Sequence, residues 1–132
     1  MNCLLDTHAF LWETFTPGKL SRTAHRVITD AENDIFVSVI SFWEISLKFA
    51  LGKITMEGVD PEALPEIARR SGFDLLAFSA EDAASFHGLS REGHKDPFDR
   101  MLVHQAIRHR KTLVSADAAL NVYAPHGLKL LW

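Results

Sequence analysis

The sequence predicts an α/β fold with a mostly parallel five-stranded sheet flanked by helices on both faces. Five short apolar runs alternate with segments of helical periodicity along the 132 residues, and strands joined by helices usually pair in parallel. The chain is 47% hydrophobic and 23% charged, the usual balance of a globular domain. Its length suits one domain over residues 1–132.

The predicted strands are short apolar runs that end at polar residues or turns. "NCLLD" at residues 2–6 is the first, and "DIFVSV" is the second. "FDLLAF", "TLVSAD" and "LKLLW" follow as the third, fourth and fifth. Ligands of such sheets bind outside the carboxyl ends of the strands, so the residues that follow each strand are the first candidates for a site.

Helices are predicted between the strands from apolar periodicity and from residues that start helices. The first covers about residues 7–14 and stops near "TPGK". Ser21 caps the helix in "LSRTAHRVITDAEN", and Ser79 caps the one in "SAEDAASFHGL". Asp-Pro pairs at 60–61 and 96–97 open two more, because Asp accepts backbone N–H groups and Pro suits the first helical position.

The helix predicted over residues 41–52, "SFWEISLKFALG", is apolar nearly all round. Such a helix is either deeply buried or has one side against another chain. Burial in the core accounts for most of its apolar side chains, and the excess suits a contact with a second chain.

Charge and cysteine content narrow the class of protein. The net charge of −3 argues against a broad, non-specific coat on nucleic acid but leaves room for a local basic rim. Cys3 is the one cysteine, so no internal disulfide is possible and a reducing compartment fits. We expect neither a signal peptide nor a membrane span, and hence a cytoplasmic protein.

Acidic residues recur where predicted strands end and helices begin. Asp6 closes the first strand and Asp117 follows the fourth. Glu44 lies in the first turn of the helix after the second strand, and Asp96 and Asp99 open the helix before the fourth. Carboxylates that converge on one edge repel each other unless a divalent cation joins them, and their oxygens suit Mg²⁺ or Mn²⁺.

Each acid also has an explanation that needs no metal. Asp6, Asp96 and Asp117 can each cap the helix that follows. Glu44 can reach back to the Ser41 N–H in a capping box, because "SFWE" has the Ser-x-x-Glu spacing. These alternatives stay open from the residues alone, although unrelated caps need not all fall on one edge.

Four segments, in order, carry a resemblance to a known family: "LLDTHAFLW", "VSVISFWEISLKFALGKI", "HKDPFDRMLVHQA" and "LVSADAAL", with "LW" closing the chain. They resemble the PIN-domain ribonucleases, specifically the VapC-type toxins of bacterial and archaeal toxin–antitoxin modules. The resemblance covers almost the whole chain, and only the loop "LSREGHKD" departs in composition from the tighter loop of the family.

The resemblance implies a five-stranded parallel sheet and an endoribonuclease that depends on Mg²⁺ or Mn²⁺. The family's catalytic and metal-binding acids fall on Asp6, Glu44, Asp99 and Asp117. Asp96 belongs to the "DPFD" variant of the motif and is either a further ligand or the helix cap. The partners implied are an RNA substrate, a VapB-like antitoxin and a second copy of the chain in a homodimer.

Residues around the acids have predicted supporting roles. Thr7 and Ser115 stand beside two of the acids, and we expect their hydroxyls to hydrogen-bond around the metal ligands. Arg100, Lys95 and Lys48 are the candidates for a basic rim that contacts RNA, although each also suits a solvated surface.

Histidines suggest a weaker possibility, a ribonuclease that works by imidazole acid–base chemistry. His8 and His94 lie nearest the acids and are candidates for contacting substrate, although both also suit ordinary loop or helix-surface positions. His104 and His109 are expected on the exterior of their helix. The rival functions are a metal-dependent DNA nuclease or phosphatase with the same acids, and a non-catalytic acidic binding module.

Overall fold

The five strands of the computed structural model form one sheet in which every neighbouring pair is parallel. The strands are β1 (Asn2–Leu5), β2 (Asp34–Ser38), β3 (Asp74–Leu76), β4 (Thr112–Val114) and β5 (Lys129–Leu131). Their order across the sheet is β3-β2-β1-β4-β5. The predicted fold class is confirmed.

Six α-helices connect the strands: α1 (Thr7–Phe15), α2 (Arg22–Thr29), α3 (Val39–Ala50), α4 (Leu64–Arg70), α5 (Ala80–Ser85) and α6 (Pro97–Arg108). Short 3₁₀ segments span Pro17–Lys19, Pro61–Ala63, Phe86–Gly88 and Ala118–His126. No helix is both long and apolar enough to cross a membrane.

The predicted helix starts are mostly confirmed. Ser21 Oγ accepts from the Ala24 N–H at 3.0 Å, and Ser79 forms a reciprocal capping box at the start of α5. The pair at 60–61 opens a 3₁₀ turn instead, and the α-helix begins three residues later at Leu64. The pair at 96–97 starts α6 as predicted.

The capping box predicted for Glu44 is wrong. The hydroxyl of Ser38 accepts from the Ile40 N–H at 3.0 Å, so α3 begins at Val39 rather than at Ser41. Ser41 is then the third residue of α3, and the Glu44 carboxylate pairs with Thr7 and Lys48 instead of the Ser41 N–H.

Apolar side chains cover both faces of the sheet. On β1, Cys3 and Leu5 face one cluster with Phe10 of α1, whereas Leu4 faces the other with Leu102 of α6. Cys3, Leu4 and Leu5 are completely buried, as expected for a parallel strand covered on both sides.

The strand order places a topological switch point beside β1. The chain runs from β1 to β2 and β3 on one side, then crosses to β4 and β5 on the other. The crevice between the ends of β1 and β4 is the position where such sheets bind ligands. Asp6 follows the first of these strands and Asp117 comes shortly after the second.

A buried carboxylate organises the far end of α6. Asp82 is completely buried, and its Oδ1 lies 2.9 Å from Arg108 Nε and 2.8 Å from His109 Nε2. His104 is 9% exposed, and its Nε2 lies 3.1 Å from the Asp82 carbonyl oxygen. The predicted exterior position of His104 is wrong, because the residue is buried beside Asp82. The His109 side chain is 32% exposed, and its ring turns toward the buried carboxylate, which requires charged or polar partners around it.

Candidate metal and active site

Three of the predicted acids line one cavity at the switch point. Asp6, Asp99 and Asp117 surround a space of about 310 Å³, together with His8 and Trp12. The Asp6 N–H donates to the Val114 carbonyl at 3.0 Å, which ties the end of β1 to the end of β4. The structure therefore brings together acids that are up to 111 residues apart in the chain, from position 6 to position 117.

Asp6 is a helix cap and a cavity wall at the same time. Its Oδ1 accepts from the Ala9 N–H at 2.7 Å, and the residue is 7% exposed. Burial raises the pKa of Asp6, and the hydroxyl of Ser115 opposes that rise. Ser115 Oγ also accepts from the Asp117 N–H at 3.1 Å. The Ser115 hydroxyl thus lies between two acids, where it was predicted.

Glu44 is buried at 2% exposure, and both of its carboxylate oxygens have partners. Thr7 Oγ1 donates to Glu44 Oε1 at 2.7 Å, while the Lys48 ammonium forms an ion pair with Oε2. Burial lowers the pKa of Lys48, but the bond to Glu44 outweighs it and leaves that pKa raised. Lys48 thus neutralises Glu44 in this structure rather than standing free on a rim.

Asp96 caps helix α6, whereas Asp99 lines the cavity. Asp96 Oδ1 accepts from the N–H groups of Phe98 at 2.9 Å and Asp99 at 3.1 Å, so Asp96 caps α6. Burial and the charge of Asp96 raise the pKa of Asp99 to about 6, with smaller contributions from Glu44 and Asp6. Burial contributes most to this rise, and the neighbouring negative charges add to it.

His94 is the site residue whose position the sequence did not predict. Its Nε2 lies 2.9 Å from Asp117 Oδ2 and 3.5 Å from Asp99 Oδ2. The ligand atoms of these three residues all lie within 4.8 Å of one another. Nδ1 is buried without a hydrogen-bond partner, which favours the proton on the nitrogen that faces the acids. In the sequence, only the place of His94 in "HKDPFD", beside two of the acids, points to this role. The contact with Asp117 spans 23 residues, so no local pattern predicts it.

Gly93 allows the loop to deliver His94 to the acids. Its φ is +89°, a left-handed conformation that favours glycine. A Cβ added there would lie 2.6 Å from Val122 Cγ1. The loop therefore packs against the 3₁₀ segment that follows Asp117, and this contact brings His94 to that acid.

The PIN domain family matches residues 3–124 of this chain. The chain belongs to the PIN domain family. Its fold is similar to that of VapBC2 from Rickettsia felis bound to a promoter DNA fragment, with 18% identity, a TM-score of 0.69, and coverage of 99% of this chain and 98% of that one. Among curated proteins, none gives a significant sequence match.

Two further solved structures share this PIN fold. FitAcB from Neisseria gonorrhoeae is 20% identical with a TM-score of 0.67, over 98% of this chain and 96% of that one. A toxin–antitoxin complex from Klebsiella pneumoniae is 17% identical with a TM-score of 0.60, over the same 98% and 96%. At these identities the similarity shows a shared fold, and it covers nearly the whole of each chain.

The donor set of this PIN domain suits a divalent cation. Carboxylate oxygens at the switch point are the ligands that Mg²⁺ and Mn²⁺ prefer. Burial contributes most to the raised pKa of Asp99, and the charges of Asp96, Glu44 and Asp6 add to it. A cation bound there would relieve the repulsion among these charges.

Proposed function

We propose that this PIN domain is a metal-dependent endoribonuclease and the toxin of a type II toxin–antitoxin pair. The observation that carries the proposal is the convergence of Asp6, Asp99 and Asp117 on one cavity at the switch point. Buried Glu44 does not line that cavity and is linked to α1 through the hydroxyl of Thr7. We assign metal binding to the three aspartates and a supporting role to Glu44.

Each acid has a separate part in the proposed site. Asp6, Asp99 and Asp117 face the cavity and would hold Mg²⁺ or Mn²⁺, while Asp96 remains the cap of α6. The ion, when bound, supplies positive charge at the scissile phosphate and lowers the pKa of the attacking water. Glu44 is oriented by Thr7 and Lys48, and it supports the site through its charge, which acts on Asp6 and Asp99.

His94 contacts the same carboxylates as the ion in this proposal. Its Nε2 lies 2.9 Å from Asp117 Oδ2 and 3.5 Å from Asp99 Oδ2. An ion held by these two carboxylates would compete with the imidazole contact, because both use the same oxygens.

An exposed apolar face supports the proposed partners. Val39, Trp43 and Leu47 lie one turn apart on α3 and are 38%, 57% and 42% exposed. The Trp43 ring packs edge-on against Phe98, next to the DPFD acids, with ring centroids 5.4 Å apart. We propose that this face forms a homodimer and that a VapB-like antitoxin binds the dimer, since the structural neighbours are toxin–antitoxin complexes.

The dimer is tested by Leu47→Glu, which puts a charge on the exposed face without touching the acids. We expect the parent chain to run as a dimer and the variant as a monomer in light scattering coupled to size-exclusion chromatography. A parent that stays monomeric across the accessible concentrations would contradict the assignment of this face.

The activity is tested by comparing single-stranded RNA, DNA of the same sequence and a phosphomonoester as substrates. We expect cleavage of RNA in Mg²⁺ or Mn²⁺ and none in chelator. Glu66→Gln is a matched control for variants of the acid site, because it removes a carboxylate from the surface of α4, where Glu66 pairs with Arg69 and Arg70. Faster hydrolysis of DNA or of the phosphomonoester would favour the rival enzyme classes, and no hydrolysis of any substrate would favour a non-catalytic module.

A further inference from the structure

A second cavity beside the acid site is lined by basic side chains. It has a volume of about 390 Å³, and five of its seven lining residues are His87, Arg91, His94, Lys95 and Arg100. None of the lining residues is acidic. In a chain with a net charge of −3, this concentration of positive charge is a local feature. We call this space the basic cavity.

The basic cavity adjoins the acid site through His94. This side chain lines the basic cavity while its Nε2 lies 2.9 Å from Asp117, which lines the acid site. Arg100 also follows directly after Asp99 in α6. An extended chain of phosphates that enters the acid site can therefore continue into the basic cavity.

One cation of the basic cavity is held in place before any ligand binds. Arg100 Nη1 donates to the Ser90 carbonyl at 2.9 Å and to Tyr123 Oη at 3.2 Å. Its guanidinium carbon lies 5.4 Å from the centre of the Phe86 ring, which also lines the cavity. A fixed guanidinium beside an aromatic ring combines a phosphate contact with a surface on which a base can stack.

The other cations are available to a ligand. Arg91 and Lys95 are exposed and form no ion pair with any carboxylate of the chain. His87 is also exposed on the same wall. Lys48, in contrast, is neutralised by Glu44. The free positive charge near the acid site is therefore concentrated in the basic cavity.

We propose that the basic cavity binds the phosphodiester backbone of single-stranded RNA next to the scissile phosphate. The inference rests on the proposed nuclease function and assigns its substrate a path from the acid site past His94. Arg91 and Lys95 contact phosphates, and Arg100 with Phe86 holds the adjoining nucleotide. The cavity also offsets the repulsion between the acids and an incoming polyanion.

The test removes two free cations and leaves the anchored Arg100 intact. The variant is Arg91→Ala with Lys95→Ala. Its matched control is Arg69→Ala with Arg70→Ala, which removes the same charge from exposed α4. Two quantities are measured: steady-state cleavage of a short RNA in Mn²⁺, and fluorescence anisotropy of a labelled RNA oligomer in chelator at several salt concentrations.

We expect KM to rise roughly tenfold in the variant while kcat changes less than about twofold. The slope of log Kd against log salt should fall in magnitude by about 1.4, since each lost phosphate contact on a single strand contributes about 0.7. The control should match the parent in both measurements. A structural role of these exposed side chains would leave the salt slope unchanged.

Failure of this inference is distinguishable from failure of the proposed function. If the parent cleaves RNA but the variant and control behave alike in KM and salt slope, the basic cavity is not a substrate site. If the parent cleaves no RNA but binds it with the predicted change in slope, the cavity is supported and the nuclease is not. If the parent neither cleaves nor binds RNA, both are overturned.

Discussion

Two aspartates on the same side of the sheet have opposite surroundings. Asp82 is completely buried and is held by Arg108, His109 and the Ser79 N–H, and these hydrogen bonds outweigh burial and leave its pKa lowered. Asp99 is half-buried, and its burial, with the charges of neighbouring acids, raises its pKa to about 6. A carboxylate with a lowered pKa stabilises the folded chain, whereas the charged form of one with a raised pKa costs stability, and a bound cation can offset that cost.

The comparison teaches how to separate a structural acid from a functional one in this PIN domain. Both residues look alike in the sequence, since each lies at position N3 of a short acidic helix start. What differs is the sign of the charges that the fold places around them.

The largest effect is expected on catalysis. Asp99→Asn and Asp6→Asn should each lower the rate of RNA cleavage in Mn²⁺ by about a thousandfold or more, because each removes a charge that holds the ion. Asp82→Asn should retain the rate per folded molecule, measured at a temperature where it is still folded. An Asp99→Asn variant as fast as the parent would remove the acid site from the mechanism.

The second-largest effect is expected on stability, where Asp82 matters more than Asp99. Asp82→Asn should lower the free energy of unfolding by about 3 kcal/mol, because Arg108 and His109 lose the charge that they surround. Urea denaturation in chelator and in Mn²⁺ should give the same loss. A loss that appears only with metal would place Asp82 in the functional site.

Metal binding should stabilise only the chain with an intact acid site. At an ion concentration of about 100 times Kd, Mn²⁺ should add about 2.7 kcal/mol to the parent and little to Asp99→Asn. Thermal unfolding with chelator and then with excess Mn²⁺ measures this difference. A parent whose melting temperature ignores the ion would instead favour helix caps as the reason for these acids.

The smallest effect concerns pH without metal. The pKa of Asp99 is raised from 3.8 to about 6 in the folded chain. The charged Asp99 carboxylate therefore costs no stability below the pKa of the unfolded chain and its full cost above the pKa of the folded chain. Asp99→Asn in chelator should thus be more stable than the parent by about 1–2 kcal/mol at pH 8, and the gain should vanish below about pH 4. For Asp82, whose pKa is lowered, the stabilisation is present above its ordinary value and is lost as the pH falls through the folded value.

Unfolding in chelator at a series of pH values from 4 to 8, with Asp82→Asn as the reference, separates the two residues. The loss caused by Asp82→Asn should stay constant from about pH 5 to pH 8, because Asp82 is charged in both the folded and the unfolded chain there. Asp99→Asn should become more stabilising over the same range. If Asp82→Asn instead follows the trend of Asp99→Asn, the two sites do not differ in the sign of their electrostatics.

Patterns that span only a few residues were enough to predict the sheet and several helix starts of this protein. Five apolar runs separated by helical periodicity predicted the parallel sheet, and Ser21, Ser79 and Asp96 marked helix starts that the structure confirms. The positions of the acids after strands and at helix starts followed from the same reading. Periodicity and capping act within a few residues, so they can be recognised without knowing how the chain packs.

Which charges meet depends on the packing of the whole chain. The sheet order places β4 beside β1 and so brings Asp117 to Asp6, whereas the loop before α6 brings His94 to Asp117. The packing of α5 and α6 places His104 and His109 beside Asp82. These contacts join residues that are tens of positions apart, and their energies depend on burial and on neighbouring charge, which no local pattern in the sequence specifies.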